Sequence, residues 1–217
     1  MVRSLFLSLL VAAPALASTP KFQEGGFRSS FEYGPGFWLM DRNFIASQAG
    51  PAVADAFTSD LTNGHTLTLG LGYNIKGHAT VGLELTGTGW RLTEVTRGGA
   101  GFLVGTAAWH PLQLLWMNKE ERPLPIDASF FFGFGYGIGG QRIGTDGFNA
   151  EVGGRFEYWL TRYFGLGFVL RGVIFKYGAL YLDFNNRTAP GNTIVMPQGV
   201  GGGFFTFNLA LLLRFGE

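Results

Sequence analysis

The sequence has no cysteine, and only 14% of its 217 residues are charged. Without thiols there is no disulfide framework and no thiolate metal site. Soluble domains carry about 25% charged residues to keep their exteriors dispersed, and this chain falls well short of that. It also lacks any run of eighteen consecutive apolar residues, so no helix is expected to span a membrane. The formal net charge is +1, with no basic stripe along the chain, and nucleic acid is not expected as a partner.

What is plentiful is glycine, 35 residues, and aromatic side chains, 16% of the chain with 22 Phe. So much glycine is found in disordered chains, but the Phe and Leu content argues for packed structure. Little charge and many aromatics suit an exterior that meets lipid.

The first residues read as an export signal. Arg3 gives a basic start, and Leu5 to Ala13 (LFLSLLVAA) is an apolar run too short to cross a bilayer as a helix. Ala15 and Ala17 place small residues where a signal peptidase reads them, so cleavage is expected after Ala17. No cysteine stands at that site, and a lipid-anchored form is not expected.

Beyond the signal the dominant pattern is alternation with period two, the mark of strands with two unlike faces. From Gly64 to Ile75, Leu67, Leu69, Leu71, Tyr73 and Ile75 share one face, opposite Thr66, Thr68, Gly70, Gly72 and Asn74. In the last strand Phe205, Phe207, Leu209, Leu211, Leu213 and Phe215 oppose Thr206, Asn208, Ala210 and Arg214. The pattern recurs over Phe27 to Met40, Ala79 to Leu92, Gly99 to His110, Ile126 to Ile138, Phe148 to Leu160 and Phe164 to Lys176. Gly99 to His110 is the weakest, with Phe102 and Val104 read as the apolar face against Gly101 and Gly105. That makes eight candidate strands, each near the 9–11 residues that a tilted membrane strand needs.

A soluble barrel would alternate in the same way with its apolar face inside, so parity alone does not say which face meets lipid. Three features do. The polar face is mostly Gly, Ser, Thr and Asn, small enough for the cramped lumen of an eight-stranded barrel. Connections alternate in length: Asp41 to Asn63 and Tyr177 to Gly201 are long, Ile75 to His78 and Leu160 to Tyr163 tight, as in outer-membrane barrels. Aromatics gather at the short-turn ends, with Tyr73, Trp109, Tyr158, Trp159 and Phe215 forming an interfacial girdle. The expected fold is all-β: an antiparallel up-and-down transmembrane β-barrel of about eight strands, preceded by a cleaved signal peptide. Residues 1–17 are then the signal peptide and residues 18–217 one outer-membrane barrel domain. His110 to Pro125 misfits a short turn; either the fourth strand runs on to Met117 or the segment lies along the inner interface.

The signal peptide, the eight alternating strands and the aromatic-rich final strand (GGGFFTFNLALLLRF) together resemble the small outer-membrane barrels of the OmpA, OmpX and OmpW type. The resemblance covers nearly the whole mature chain and implies the outer membrane of a Gram-negative cell envelope, surrounded by lipid and lipopolysaccharide. It implies that the barrel-insertion machinery reads the last strand, with Phe215 as the terminal aromatic; Gly216 and Glu217 after it depart from the pattern. No peptidoglycan-binding domain of the OmpA kind is expected to follow.

Candidate chemistry is sparse. The three histidines, His65, His78 and His110, have no Ser two residues away on the same face, so a hydroxyl–imidazole pair of the lipid-deacylating kind is not read. Gly135 to Gly140 matches G-x-G-x-x-G, but Gln-Arg-Ile-Gly-Thr-Asp-Gly follows it, a turn where a dinucleotide site needs a helix start. Asn186 to Thr188 matches a glycosylation acceptor without consequence in a bacterial envelope, and Asp146 and Asp183 lack calcium-loop spacing. No catalytic, cofactor-binding or metal-binding residue is therefore assigned, and no cofactor is expected. The lumen face carries Glu32, Glu84, Asp127, Glu151, Arg155, Glu157, Arg171 and Arg214, which in a dry interior must pair. Glu151, Arg155 and Glu157 project the same way from one strand, and Arg171 can face them; the group reads as an ionic plug, or as the lining of a narrow path. In the long connections Phe44, Ile45, Val53, Phe57, Ile194, Val195 and Met196 are apolar, fit either for a partner surface or for a lid over the barrel mouth. The expected function is a non-enzymatic barrel with a structural or interaction role, presenting long loops outward or docking with an envelope protein. The alternatives are a narrow channel for small solutes or ions and a lipid-modifying enzyme.

Overall fold

The structure is a computed structural model that describes residues 25–61, 63–90, 99–117 and 125–215. The expected signal peptide and Gly216 and Glu217 lie outside the described residues. Eight strands form: β1 (Gly26–Met40), β2 (Gly64–Ile75), β3 (Ala79–Trp90), β4 (Gly99–Trp109), β5 (Ile126–Gly140), β6 (Gly144–Trp159), β7 (Phe164–Tyr181) and β8 (Thr193–Phe215). Each pairs antiparallel with its sequence neighbour, and β1 pairs with β8 to close the barrel. Closure pairs both edges of each strand around the barrel wall, the condition for a sheet to cross lipid.

Alternation sets the register. Outward residues of neighbouring strands fall side by side, with Leu71 opposite Leu83, Leu69 opposite Leu85, Phe31 opposite Leu211 and Phe168 opposite Leu209. These are the exposed side chains: Phe134 is 70% exposed, Leu209 72% and Phe148 78%. The buried set includes Glu32, Glu84, Asp127, Glu151, Arg155, Glu157, Arg171 and Arg214. A chain with its charges inside and a continuous apolar exterior is arranged for a bilayer, because in water that exterior would drive aggregation.

Short-turn geometry explains the tight connection at Lys76-Gly77. Both residues have positive φ, 48° and 73°, as the central pair of a type I′ turn requires; His78 N–H donates to the Ile75 carbonyl at 3.0 Å, and the Asn74 side chain accepts a hydrogen bond from Gly77 N–H at 2.8 Å. At the other short turn, Thr161 Oγ1 accepts from Tyr163 N–H and Phe164 N–H.

Four features differ from the sequence reading. In β4 the parity is reversed: Phe102 and Val104 are buried in the lumen, while Leu103 and Trp109 face outward. Glycine has no face preference, so Gly101 and Gly105 gave a false inward sign. Trp159, placed in the girdle, is 2% exposed and points inside, because its neighbour Tyr158 takes the outward position. β4 does not run on to Met117; it stops at Trp109, and Pro111–Met117 forms a short helix. Pro111 lacks the N–H a strand ladder needs but suits a first helical turn. Finally, β7 and β8 pair as far as Tyr181 and Thr193, so most of the expected loop from Tyr177 to Gly201 is strand and the connection is residues 182–192. The wall made by β5 to β8 thus stands taller than that of β2 to β4, whose strands have 11 or 12 residues against 18 and 23 for β7 and β8.

The connection from β1 to β2 folds as two helices, α1 (Arg42–Ala49) and α2 (Pro51–Asp60); the helix after β4 is α3. Asp41 caps α1 by accepting from Asn43 N–H and Phe44 N–H. Pro51 opens α2 where its missing N–H costs nothing.

Candidate functional site: a lumen closed in three layers

At the short-turn end, Trp159, Val169, Ala210, Leu212, Phe131 and Ala108 form a buried apolar cluster inside the barrel. Beside it Arg28 pairs with Glu157, and Trp159 Nε1 donates to the same carboxylate at 3.2 Å. His110 is buried here. Its Nε2 lies 2.8 Å from Thr80 Oγ1 and its Nδ1 2.5 Å from Asp127 Oδ2. His110 N–H also donates to the carbonyl of His78 at 3.0 Å, and Gln113 in α3 donates to the carbonyl of Ile126. This set ties the β4–α3–β5 connection to the barrel floor.

The middle layer is ionic. Arg155 Nη2 donates to Glu32 Oε1 at 2.6 Å and to Glu84 Oε1 at 3.2 Å. Arg171 Nη1 donates to Thr68 Oγ1 at 2.9 Å and Thr86 Oγ1 at 2.8 Å; its Nη2 donates to Glu32 Oε2 at 3.1 Å and to Glu84. Both guanidiniums also lie over the Phe131 ring, at 5.5 and 5.4 Å from its centroid. The lumen charges of the sequence reading are paired, with the expected approach of Arg171 to Glu151, but the short contacts run across the bore. Arg155 reaches across the lumen to β1 and β3, and its same-strand neighbour Glu157 is 4.0 Å away. Glu151 is approached by Arg171 Nε at 3.7 Å. The reason is geometric: same-face residues two apart on a strand project side by side, whereas opposite walls of a narrow barrel aim their side chains at each other.

The upper layer is aromatic. The Trp38 ring packs on Phe204 at 4.9 Å, Phe175 at 5.7 Å and Phe102 at 6.3 Å, and Phe175 stacks on Tyr177 at 4.8 Å. Inward glycines make the room: a Cβ on Gly36 would come within 2.4 Å of Phe204, and one on Gly137 within 2.5 Å of Phe102. Ile45, Ala54, Phe57 and Leu61 of the β1–β2 connection join this cluster, and the first three are fully buried. Of the apolar loop residues in the sequence reading, Ile45, Phe57 and Met196 are therefore lid and core, Val53 and Ile194 pack at their margin, and Val195 is 70% exposed. Gln48 fastens the lid to the rim: its Oε1 accepts from Gln198 N–H at 3.1 Å and its Nε2 donates to the Gly199 carbonyl at 3.3 Å.

Little space is left. Between Arg28, Thr80, Glu84, Phe131 and Arg155 there is a cavity of about 20 Å³, room for about one water molecule. A wider opening of about 230 Å³ lies at the long-loop rim beside Thr88, Gly101, Ile138 and Phe184. Among the described residues no group of three or more His, Cys, Asp or Glu is placed to hold a metal ion.

Of the three histidines, His78 is exposed at the β2–β3 turn. His65 stacks on Tyr33, with Nδ1 2.8 Å from the phenol oxygen. Sequence reasoning missed the partners of His110 because Thr80 and Asp127 come from β3 and β5 and meet it only through register. It also missed Arg28 as a lumen charge, although Arg28 shares the parity of Ser30 and Glu32.

No family model matches the chain, and no curated relative does. Solved structures match by shape. Neisserial surface protein A is 9% identical with a TM-score of 0.56, covering 88% of this chain and 99% of that one. The outer membrane protein AlkL, solved in lipid bilayers, is 16% identical with a TM-score of 0.50, covering 93% and 95%. The chain has the fold of the small outer-membrane β-barrels. With its apolar exterior, this eight-stranded outer-membrane barrel sits in the lipid of the outer membrane.

Proposed function

We propose that the protein is a non-conducting, non-enzymatic outer-membrane barrel with a structural or interaction role, presenting its outer connections to a partner or docking in an envelope complex. The observation that supports this reading is the occupied lumen: among the described residues an apolar floor, an ionic middle and an aromatic lid stand across the bore, with a cavity of about 20 Å³ between floor and middle. A narrow channel would need a continuous wet bore, and eight strands already leave little. With the lumen closed, what remains to engage another molecule is the rim: the helical lid and the tall β7–β8 hairpin with its exposed Val195.

One observation favours a second reading. Thr80, His110 and Asp127 stand as a hydroxyl–imidazole–carboxylate chain, the arrangement that activates a nucleophile. The space beside Thr80 holds about one water and no acyl group, which supports a clamp rather than a hydrolase.

Co-purification tests the proposal. A tag inserted at Lys76-Gly77, on the short-turn side, leaves the rim free. Extraction of outer membranes in mild detergent should bring down a stoichiometric partner that is lost when Val195 and the lid surface are substituted. A solitary barrel, with turnover of lipid esters that vanishes in His110→Ala, would overturn it.

A further inference from the structure

The top of β8 has lost one neighbour. β1 ends at Met40, opposite Gly202, whereas β8 continues upward to Thr193. Above Gly202, β8 therefore has β7 on one side and, among the described residues, no strand on the other.

Hydrogen-bond parity says which groups face that open side. In an antiparallel pair, bonded and non-bonded rungs alternate. Leu182 N–H donates to the Asn192 carbonyl at 2.8 Å, so that rung is bonded, and the next bonded rung is Leu180 opposite Ile194. Tyr181–Thr193 and Ala179–Val195 fall between the bonded rungs and turn their N–H and C=O away from each other. The far side of β7 agrees: the Ala179 carbonyl, directed away from β8, accepts from Thr145 Oγ1 of β6 at 2.6 Å. Thr193 and Val195 thus aim two N–H and two C=O groups at the open side. Among the described residues no hydrogen bond engages those groups, Thr193 is exposed, and Val195 is 70% exposed.

Lower on the same strand the protein closes itself off. Pro197 has no N–H to offer, the usual way of blunting an edge. Gln48, from the helix that follows β1, then takes the next groups with its side-chain amide: Oε1 accepts from Gln198 N–H and Nε2 donates to the Gly199 carbonyl. An amide is the chemical unit of a peptide backbone, so this strand is already filled, in part, by a peptide-like group. Neither device reaches Thr193 to Met196, a stretch (Thr-Ile-Val-Met) without charge and rich in β-branched residues.

We propose that the Thr193–Met196 edge of β8 takes an extended peptide segment of a partner protein as an added strand, with an uncharged β-branched or aromatic residue of that segment beside Val195. The proposal rests on the interaction role above and names its contact surface. Main-chain hydrogen bonds to Thr193 and Val195 hold the segment, and Val195 selects the side chain next to it.

Amide hydrogen exchange of the full barrel in detergent tests the edge. In the free protein Ile194 should exchange slowly and Thr193 and Val195 fast. The probe is a synthetic peptide with the sequence of residues 176–182, Lys-Tyr-Gly-Ala-Leu-Tyr-Leu, which pairs with the other edge of the same stretch. At ten times its Kd it leaves about one barrel in eleven free, so exchange at Thr193 and Val195 should slow about tenfold. Val195→Pro deletes an N–H on the open side and leaves the bonded rungs to β7 in place, so binding should be lost. Should that variant not fold, the fully N-methylated peptide decides, since it keeps the side chains and lacks the donors. Slow exchange at Thr193 and Val195 without peptide, as when a second copy covers the edge, overturns the proposal. Unchanged exchange with peptide, equal binding to Val195→Pro, or equal slowing by the N-methylated peptide overturns it too. A partner that co-purifies with Val195→Pro as with the wild type would keep the interaction role and refute the edge. Peptide binding without any co-purifying partner would keep the edge and refute docking in an envelope complex.

Discussion

Arg171→Met removes the guanidinium at the centre of the lumen while keeping most of its volume. Arg171 is fully buried, and its terminal nitrogens donate to two carboxylates and two threonine hydroxyls. Breaking a buried pair by deleting one partner costs about 3–5 kcal/mol, because the other charge stays buried without compensation. Here Glu32 and Glu84 would be left to Arg155 alone, so the upper part of that range applies. With a urea slope of about 2 kcal/mol/M, the unfolding midpoint of the refolded barrel should fall by about 2 M. A second substitution separates charge from packing. Glu84→Gln in the Arg171→Met background removes one stranded carboxylate and should recover part of the loss, a coupling that a double-mutant cycle reads directly. A midpoint shift of Arg171→Met corresponding to under about 1 kcal/mol, with no coupling to Glu84→Gln, would mean that water reaches the layer and solvates these groups. The plug would then be refuted.

Other predictions concern the lid and the wall. Phe57→Ala takes a fully buried ring out of the upper cluster, at a cost of about 3–5 kcal/mol, and should make the lid cleavable by trypsin at Arg42 while the barrel resists. Arg42 hydrogen-bonds Asp55 across the lid and holds its carboxyl below the usual carboxylate range. Because the folded value is the lower one, the contact stabilises the lid above the ordinary aspartate pKa and is lost as pH falls through the depressed one. The Asp55 carboxyl resonance should titrate at low pH and return to the ordinary range in Arg42→Gln. In the wall, Gly135→Ala should abolish the slower or faster migration of unboiled protein in SDS, because the new Cβ would lie 2.0 Å from the Leu103 carbonyl oxygen. Gly105→Ala, whose Cβ meets nothing nearer than 3.8 Å, should leave that migration unchanged.

Much of the barrel could be read from the chain because a membrane strand declares its two faces. The run from Leu67 to Ile75 and the run from Phe205 to Phe215 fix parity residue by residue, and parity fixes register once neighbours pair. The reading failed where that signal thins. In β4 the glycines Gly101 and Gly105 carry no information about the face, and Leu103 and Trp109, of the same parity and both exposed, are the informative residues. Tandem aromatics such as Phe204-Phe205 put one ring on each side, so the aromatic upper layer was not visible as a pattern. The lid helices were hidden because the stretch from Arg42 to Asp60 is short, and Ile45, Ala54 and Phe57 are buried in a cluster that includes Phe102, Phe175 and Phe204, far away in sequence. The charged lumen residues could be listed from parity alone. Their partners could not, because pairing across the bore depends on barrel tilt and stagger rather than on spacing along one strand.

The most direct test is conductance. Purified barrel should be inserted into a planar lipid bilayer, in symmetric salt, with orientation and insertion checked by protease access to the lid. A lumen closed by the Trp159 floor, the Arg155–Arg171 layer and the Trp38 cluster should give no discrete current steps in the wild type. Stable unitary steps from the intact, inserted wild-type protein would contradict a closed lumen and make the barrel a channel.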